Sequence, residues 1–123
     1  MPSRKLKVLL IDDDAVVAEL LGAVLRHEGF ELKILLEPLR LEESLAAFEP
    51  DIVVSDFHMP ERDGLNVLAA VHALRPRAAR VMFSGELAID ARRLAAVAPV
   101  VVFAKDVDPQ LLVVRLREAA SNR

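Results

Sequence analysis

Short runs of valine, isoleucine and leucine alternate along this chain with longer stretches in which apolar residues recur every three or four positions. Runs of the first kind are typical of strands buried on both faces of a parallel sheet, and stretches of the second kind are typical of amphipathic helices. The alternation predicts successive βα units and an α/β fold with an open parallel sheet. The predicted strands cover residues 7–11, 32–36, 52–55, 80–83 and 100–103.

The helix after the first strand has the clearest pattern. Asp14 is placed to cap its start and Gly29 to end it. Further helices are predicted over 41–48, from 63–64 to a point before Pro76, over 89–97, and from 108–109 to about residue 120. The apolar positions that the first helix would turn toward the sheet are Val17, Leu20, Leu21, Val24 and Leu25.

Size and composition limit the classes of function. A chain of 123 residues with 54% hydrophobic residues has room for one domain, over 1–123, with a substantial core. It has no cysteine, no leader-like N-terminus and no apolar run near the ~20 residues of a membrane span, so we expect a cytoplasmic protein without a membrane partner. Because the net charge is -3, we do not expect the chain to bind nucleic acid directly.

Charged residues lie at or just after the ends of three of the predicted strands. Asp12, Asp13 and Asp14 follow the first strand, Asp56 the third and Lys105 the fifth, separated from it by Ala104 alone. Because ligands of open parallel sheets bind outside the carboxyl ends of the strands, these groups should share one pocket. Clustered carboxylates need a cation, and an oxygen-only ligand set suits Mg²⁺. A metal with a lysine ammonium opposite would also hold a phosphoryl group for attack by a carboxylate, which makes Asp56 a candidate nucleophile.

Taken together, these residues resemble the receiver domain of two-component response regulators. The resemblance rests on Asp12-Asp13, Asp56-x-x-Met59-Pro60-x-x-Asp63-Gly64, Ser84-Gly85 and Lys105, and it spans nearly the whole chain. It implies a doubly wound, flavodoxin-like (βα)5 fold with five parallel strands in the order 2-1-3-4-5, an order for which a receiver is a standard example.

The resemblance also implies roles for residues. Asp56 would accept a phosphoryl group from a histidine kinase or phosphotransfer protein, and Asp12, Asp13, Asp56 and the backbone carbonyl of His58 would hold Mg²⁺. The chain would hydrolyse only its own phosphoryl group, slowly, and would not act as an enzyme on an external substrate. The remaining implied site residues are Ser84 and Lys105, which would contact the phosphoryl group, and His58 and Glu86, which would tune its loss to water.

The implied output is a protein contact with an output domain or partner protein, through the fourth helix, fifth strand and fifth helix. The same face would allow a homodimer, and the last helix is apolar nearly all round over 111–116.

The chain departs from the family beside this face. Asp106 replaces the usual proline after Lys105, and Val102 stands where receivers carry an aromatic residue, with Phe103 one place later. Phe103 is expected to face the core, and the approach of the lysine is expected to differ.

Two other functions fit parts of the pattern. The chain could be a receiver-fold interaction module that works without phosphate, or a phosphatase of the haloacid dehalogenase type with Asp12 as nucleophile in Asp12-x-Asp14. We favour Asp14 as a helix cap rather than a third metal ligand, and Asp63 as a helix cap rather than a catalyst. His27 and His72 are expected at the surface, since neither has a partner at ligand spacing.

Overall fold

The computed structural model describes residues 4–85 and 89–121. Its strands are β1 (Lys7–Ile11), β2 (Glu31–Leu35), β3 (Ile52–Asp56), β4 (Ala79–Ser84) and β5 (Val101–Ala104). Its α-helices are α1 (Ala15–His27), α2 (Leu41–Phe48), α3 (Gly64–Leu74), α4 (Ala91–Ala96) and α5 (Pro109–Ser121), and a 3-10 turn, Pro38–Arg40, precedes α2. The predicted elements are all present, with bounds shifted by no more than two residues.

The strands form one parallel sheet in the order β2-β1-β3-β4-β5, which confirms the predicted fold. The register sets Ile11 of β1 beside Ser55 of β3, and Ser84 of β4 beside Ala104 of β5. Residues that directly follow β1 and β5 therefore lie at the same edge of the sheet as Asp56, the last residue of β3.

Helices cover both faces of the sheet. One core cluster packs residues of α1 and α5 against alternate strand residues such as Val8, Ile52 and Val81. The other packs residues of α2 and α3 against the intervening residues, such as Leu9 and Val53. Alternate strand residues point to opposite faces, so strands covered on both sides appear in the sequence as continuous apolar runs.

The apolar face of α1 does not all turn to the core. Val17 and Leu20 are 42% and 68% exposed, so the prediction that they pack on the sheet was wrong. The buried positions of α1 are the small residues Ala18 and Gly22 together with Leu25. A Cβ at Gly22 would lie 2.9 Å from a side-chain methyl of Leu32, so this helix approaches the sheet closely along its small residues.

Several local predictions are confirmed. Asp14 caps α1 by accepting the N–H groups of Val16 and Val17, and His27 and His72 are exposed. Phe103 is buried, with its ring 5.9 Å from that of Phe83. Among the described residues, no helix is both long and apolar enough to cross a bilayer.

Candidate functional site

Three carboxylates meet at the carboxyl edge of the sheet. Asp12 and Asp13 follow β1 directly, and Asp56 ends the neighbouring strand β3. One oxygen from each of these side chains can be chosen so that all three lie within 4.8 Å of one another. Asp12 and Asp56 are buried, whereas Asp13 is exposed, so the cluster opens to solvent on one side. The sequence prediction that the acidic strand ends share a pocket is confirmed.

The surroundings of Asp12 oppose its ionisation. Burial raises the pKa of its carboxyl, and the nearby charge of Asp56 raises it further. A backbone N–H group works in the other direction, since that of Asp14 donates to Oδ1 of Asp12 at 2.9 Å. The net direction is upward, with burial as the main cause and the close carboxylates adding to it, so a cation bound beside Asp12 would favour its ionised form.

Lys105 supplies part of that charge from the far side of the pocket. Its Nζ atom lies 2.7 Å from Oδ1 of Asp56, although Asp106 replaces the proline that receivers usually have. Desolvation lowers the pKa of Lys105, but the contact with Asp56 and the charges of Asp12 and Asp13 outweigh it, and the pKa is raised. The ammonium is therefore held in its charged form against the acidic cluster.

Ser84 lies between these two groups in the sheet. It is the last residue of β4, the strand that separates β3 from β5, and it is buried. The N–H of Phe57 donates to the carbonyl of Phe83 at 2.8 Å, which ties the end of β3 to the end of β4. The predicted residues Asp12, Asp13, Asp56, Ser84 and Lys105 thus all lie at one edge.

The two predicted tuning residues are placed differently. His58 is exposed in the loop after β3, and its ring lies 4.8 Å from that of Phe57 in an edge-on arrangement. Glu86 lies outside the described residues, so the predicted pairing of Glu86 with His58 stays a prediction.

The loop between β3 and α3 is fixed closely to the phosphoacceptor candidate. The N–H of Gly64 donates to the carbonyl of Phe57 at 2.8 Å. A Cβ at Gly64 would lie 2.5 Å from the carbonyl oxygen of Asp56, a distance that no real side chain tolerates. Asp63 caps α3 by accepting the N–H of Asn66 at 2.8 Å, as predicted.

Arginines hold this loop from two sides, and sequence reasoning missed them. Arg62 donates to Glu42 of α2 at 2.9 Å and to the carbonyl of Pro38 at 3.2 Å. Arg93 of α4 forms a two-bonded ion pair with Asp63. Neither pair has a sequence signal, because the partners lie 20 and 30 positions apart and all four residue types are common at protein surfaces.

The donor set fits a hard divalent cation. It consists of carboxylate oxygens, which Mg²⁺ prefers, and its open side leaves room for the waters that this ion retains. Oδ1 of Asp56 is buried, and beside its ion pair with Lys105 it has no further hydrogen-bond partner among the described residues, so it retains capacity for a metal ligand bond. A bound cation would also favour the ionised form of Asp12, whose pKa is raised mainly by burial.

An apolar groove of about 390 Å³ borders this pocket. Asp12 and Lys105 form the end of the groove next to the carboxylates. Its sides are residues of α1 and of the start of α5, among them Val17, Leu20 and Pro109. The exposed apolar residues of α1 therefore lie directly beside the acidic site.

Comparison with known proteins agrees with this geometry. A family model described as the response regulator receiver domain matches residues 8–117. The chain is 36% identical over 72 residues to protein-glutamate methylesterase/protein-glutamine glutaminase 3 of Rhodospirillum rubrum, a match that covers 58% of this chain and 20% of that protein. It is 32% identical over 73 residues to the DNA-binding response regulator MtrA of Mycobacterium tuberculosis, covering 59% of this chain and 32% of MtrA. Each match spans a third or less of the relative.

Solved structures show the same fold. The CheY-like response regulator receiver domain protein of Methanospirillum hungatei superposes with a TM-score of 0.86 at 22% sequence identity, over 97% of this chain and 96% of that one. At this identity the likeness concerns the fold alone.

Proposed function

This chain belongs to the response regulator receiver domain family, and from that premise we propose that it is a phosphoacceptor receiver of a two-component phosphorelay in which Asp56 accepts a phosphoryl group. The observation that supports this most directly is the contact of 2.7 Å between Lys105 and Asp56, beside two further carboxylates. The donor would be a histidine kinase or a phosphotransfer protein. The domain would occupy 1–123 and act as a switch on an output domain or partner protein.

In the transfer, a carboxylate oxygen of Asp56 attacks the phosphorus atom, and a P–O bond forms as the P–N bond to the donor imidazole breaks. The electron pair of the broken bond stays on the imidazole nitrogen. Lys105 neutralises phosphoryl oxygens, and Ser84, at the end of the intervening strand, donates its hydroxyl to them. Asp12, Asp13, Asp56 and the His58 carbonyl would hold Mg²⁺, which when bound supplies the positive charge that the acidic cluster lacks.

The groove beside the pocket is suited to bind the protein that donates the phosphoryl group. A donor must bring its imidazole to Asp56 through the open side of the site, where Asp12 and Lys105 line the groove. The exposed Val17 and Leu20 would pack against an apolar helix of that donor. Leu20→Glu should therefore slow phosphorylation by the donor protein but leave phosphorylation by acetyl phosphate unchanged.

Phosphorylation with acetyl phosphate and MgCl₂ tests the proposal. Intact mass spectrometry should show the addition of one phosphoryl group to wild type and to Asp14→Asn, and none to Asp56→Asn. Asp14 is the matched control because asparagine also caps helices well. Addition of a phosphoryl group to Asp56→Asn, or a phosphoryl group located on Asp12 in wild type, would contradict the proposal.

The phosphatase alternative loses support from the position of Asp14. Its Oδ1 accepts the N–H groups of Val16 and Val17, at 3.0 and 3.2 Å, and is used as a helix cap. The capping role explains Asp14 in the pair Asp12-x-Asp14 without assigning it a catalytic role. We propose that the chain has no activity on external substrates and loses its own phosphoryl group slowly.

The interaction module that needs no phosphate is the second candidate. The feature that favours it is Val102, which is 39% exposed on β5 where the family usually has an aromatic residue. An unlabelled wild type that still bound its output partner would favour this candidate. The complete pocket supports the phosphoacceptor instead.

Two finer predictions remain for the phosphorylated state. His58 and Glu86 would slow the loss of the phosphoryl group, and an unchanged half-life in the alanine variants of both would contradict this. The exposed Leu111 and Val114 of α5 would support a homodimer through α4, β5 and α5. Sedimentation with and without a phosphoryl analogue tests that assembly.

A further inference from the structure

Helix α4 has little packing to hold it in place. It contains six residues, Ala91–Ala96, and none of them is buried. Leu94 and the preceding Ile89 are partly buried against the core beneath α4, and Val97 is buried just after the helix ends. A short helix with so few apolar contacts depends on polar interactions at its ends.

The carboxyl end of α4 is fixed by Arg80. This residue of β4 is 4% exposed, and its guanidinium donates to the carbonyls of Val97 at 2.8 Å and Ala98 at 3.3 Å. It also donates to the carbonyls of Pro76 and Ala78, both at 3.1 Å, in the segment after α3. One buried cation on β4 thus joins the segments that follow α3 and α4.

The amino-terminal half of α4 is held by a different kind of contact. Arg93 donates through its two terminal nitrogens to Oδ2 of Asp63 at 2.8 Å and to Oδ1 at 2.7 Å. The side chain of Arg93 is 45% exposed and that of Asp63 is 30% exposed. The Arg93 guanidinium lowers the pKa of Asp63, and Asp63 raises the pKa of Arg93. This pair is accessible to water and can open without exposing a core.

Asp63 is rigidly connected to the phosphoacceptor. Its neighbour Gly64 donates its N–H to the carbonyl of Phe57 at 2.8 Å and lies against the carbonyl of Asp56. Arg93 therefore ties α4, through this partly exposed ion pair, to the backbone that carries Asp56.

We propose that the Arg93–Asp63 ion pair is a latch that holds α4 in its unphosphorylated position, while Arg80 serves as the pivot at the other end. This inference rests on the proposed phosphorylation of Asp56. A phosphoryl group there draws the Ser84 hydroxyl toward it, and Ser84 precedes α4 along the chain. In this proposal the movement of Ser84 favours a position of α4 in which the latch is open, whereas the contacts of Arg80 with the carbonyls of Val97 and Ala98 keep the carboxyl end in place.

The latch has a reciprocal consequence. A contact that favours the unphosphorylated position must weaken the binding of any group that favours the other position, by at most the factor with which the contact shifts the equilibrium between the two positions. Opening the latch should therefore make α4 more mobile and also tighten the binding of a phosphoryl analogue.

Amide hydrogen exchange in the metal-free, unphosphorylated protein tests the first consequence. Arg93→Ala should speed the exchange of the amides of 91–97 about two- to fivefold, the range expected for an exposed ion pair. Arg92→Ala is the matched control, because Arg92 is exposed, adjacent and without an ion pair among the described residues. Asp63→Asn retains a capping oxygen but removes the charge, and the double variant should exchange no faster than Arg93→Ala alone. Equal exchange in the Arg92 and Arg93 variants, or additive effects in the double variant, would overturn the latch.

Titration with beryllofluoride and Mg²⁺, followed by NMR, tests the second consequence. Arg93→Ala should bind the analogue more tightly than wild type by about the same two- to fivefold factor, and Arg92→Ala should match wild type. Equal affinity in wild type and Arg93→Ala would overturn the latch alone. Failure of wild type to bind the analogue would instead overturn the phosphorylation of Asp56 on which the latch rests.

Discussion

The ammonium of Lys105 reaches across the whole width of β4 to contact Asp56, with 2.7 Å between Nζ and Oδ1. Half of the lysine side chain is exposed, whereas the carboxylate is buried. This ion pair lies within hydrogen-bonding distance and contributes to the raised pKa of Lys105. A buried carboxylate beside two others thus has one exposed cation as its counter-charge.

Lys105→Met should destabilise the metal-free protein. The substitution leaves Asp56 buried beside Asp12 and Asp13 without a counter-charge, and we expect the free energy of unfolding at pH 7 to fall by about 1 kcal/mol. Urea denaturation in EDTA measures the change. Lys5→Met, which removes an exposed lysine that forms no ion pair among the described residues, should leave it unaltered. A Lys105 variant as stable as the Lys5 variant would show that the pair contributes nothing.

Magnesium should stabilise the folded chain through Asp13. At a free Mg²⁺ concentration tenfold above the Kd, linkage predicts a gain of about 1.4 kcal/mol in unfolding free energy. Asp13→Asn should lose most of this gain, because Asp13 is part of the carboxylate cluster. The adjacent Asp14→Asn should keep it, because Asp14 caps α1. Thermal denaturation with and without MgCl₂ measures the stabilisation by Mg²⁺ in each variant. Equal stabilisation of Asp13→Asn and Asp14→Asn would show that Asp13 is not a ligand of the metal.

The sequence predicted the order of the elements and the acidic pocket for physical reasons. Doubly covered strands produce apolar runs that stand out, and groups at the carboxyl ends of parallel strands must share an edge. The exposure of Leu20 could not be predicted, because it depends on how closely Gly22 lets α1 approach the sheet. The contacts of Arg80 and Arg93 could not be predicted either. Arg80 donates to the backbone carbonyl of Val97 and Arg93 to the carboxylate of Asp63, and both partners are distant in the sequence.

Gly64→Ala should destabilise the protein and disturb the phosphoacceptor. The new Cβ would lie 2.5 Å from the carbonyl oxygen of Asp56 and 2.9 Å from Cα of Phe57, and both are backbone atoms that cannot turn aside. We expect a loss of about 1–3 kcal/mol, as for other overpacked sites. Gly85→Ala is the control for stability, because a Cβ there meets no atom within 4 Å. Chemical denaturation compares the two, and equal stabilities would mean that the loop yields easily.

The contribution of the Arg93–Asp63 pair to stability should disappear in acid. Arg93 lowers the folded-state pKa of Asp63 below its ordinary value, so the proton binds more weakly to the folded chain than to the unfolded chain. The stabilisation is then complete above the unfolded pKa of about 3.9 and is lost as the pH falls through the lower folded pKa. The difference in unfolding free energy between wild type and Arg93→Ala should be constant from pH 5 to 7, within the range of about 0.2–1 kcal/mol, and should shrink below about pH 4.

High salt provides an independent check on the difference in unfolding free energy between wild type and Arg93→Ala. Both side chains of the ion pair are partly exposed, and 1 M NaCl reduces the screening length to about 3 Å, so this difference should be smaller at that salt concentration. The carboxylate of Asp90 also acts electrostatically on Arg93, so Asp63→Asn should be measured beside Arg93→Ala. In the Asp63→Asn background, the Arg93→Ala substitution should have an effect that no longer varies with pH between 3 and 5. A pH dependence that survived in that background would assign the effect to Asp90 rather than to Asp63.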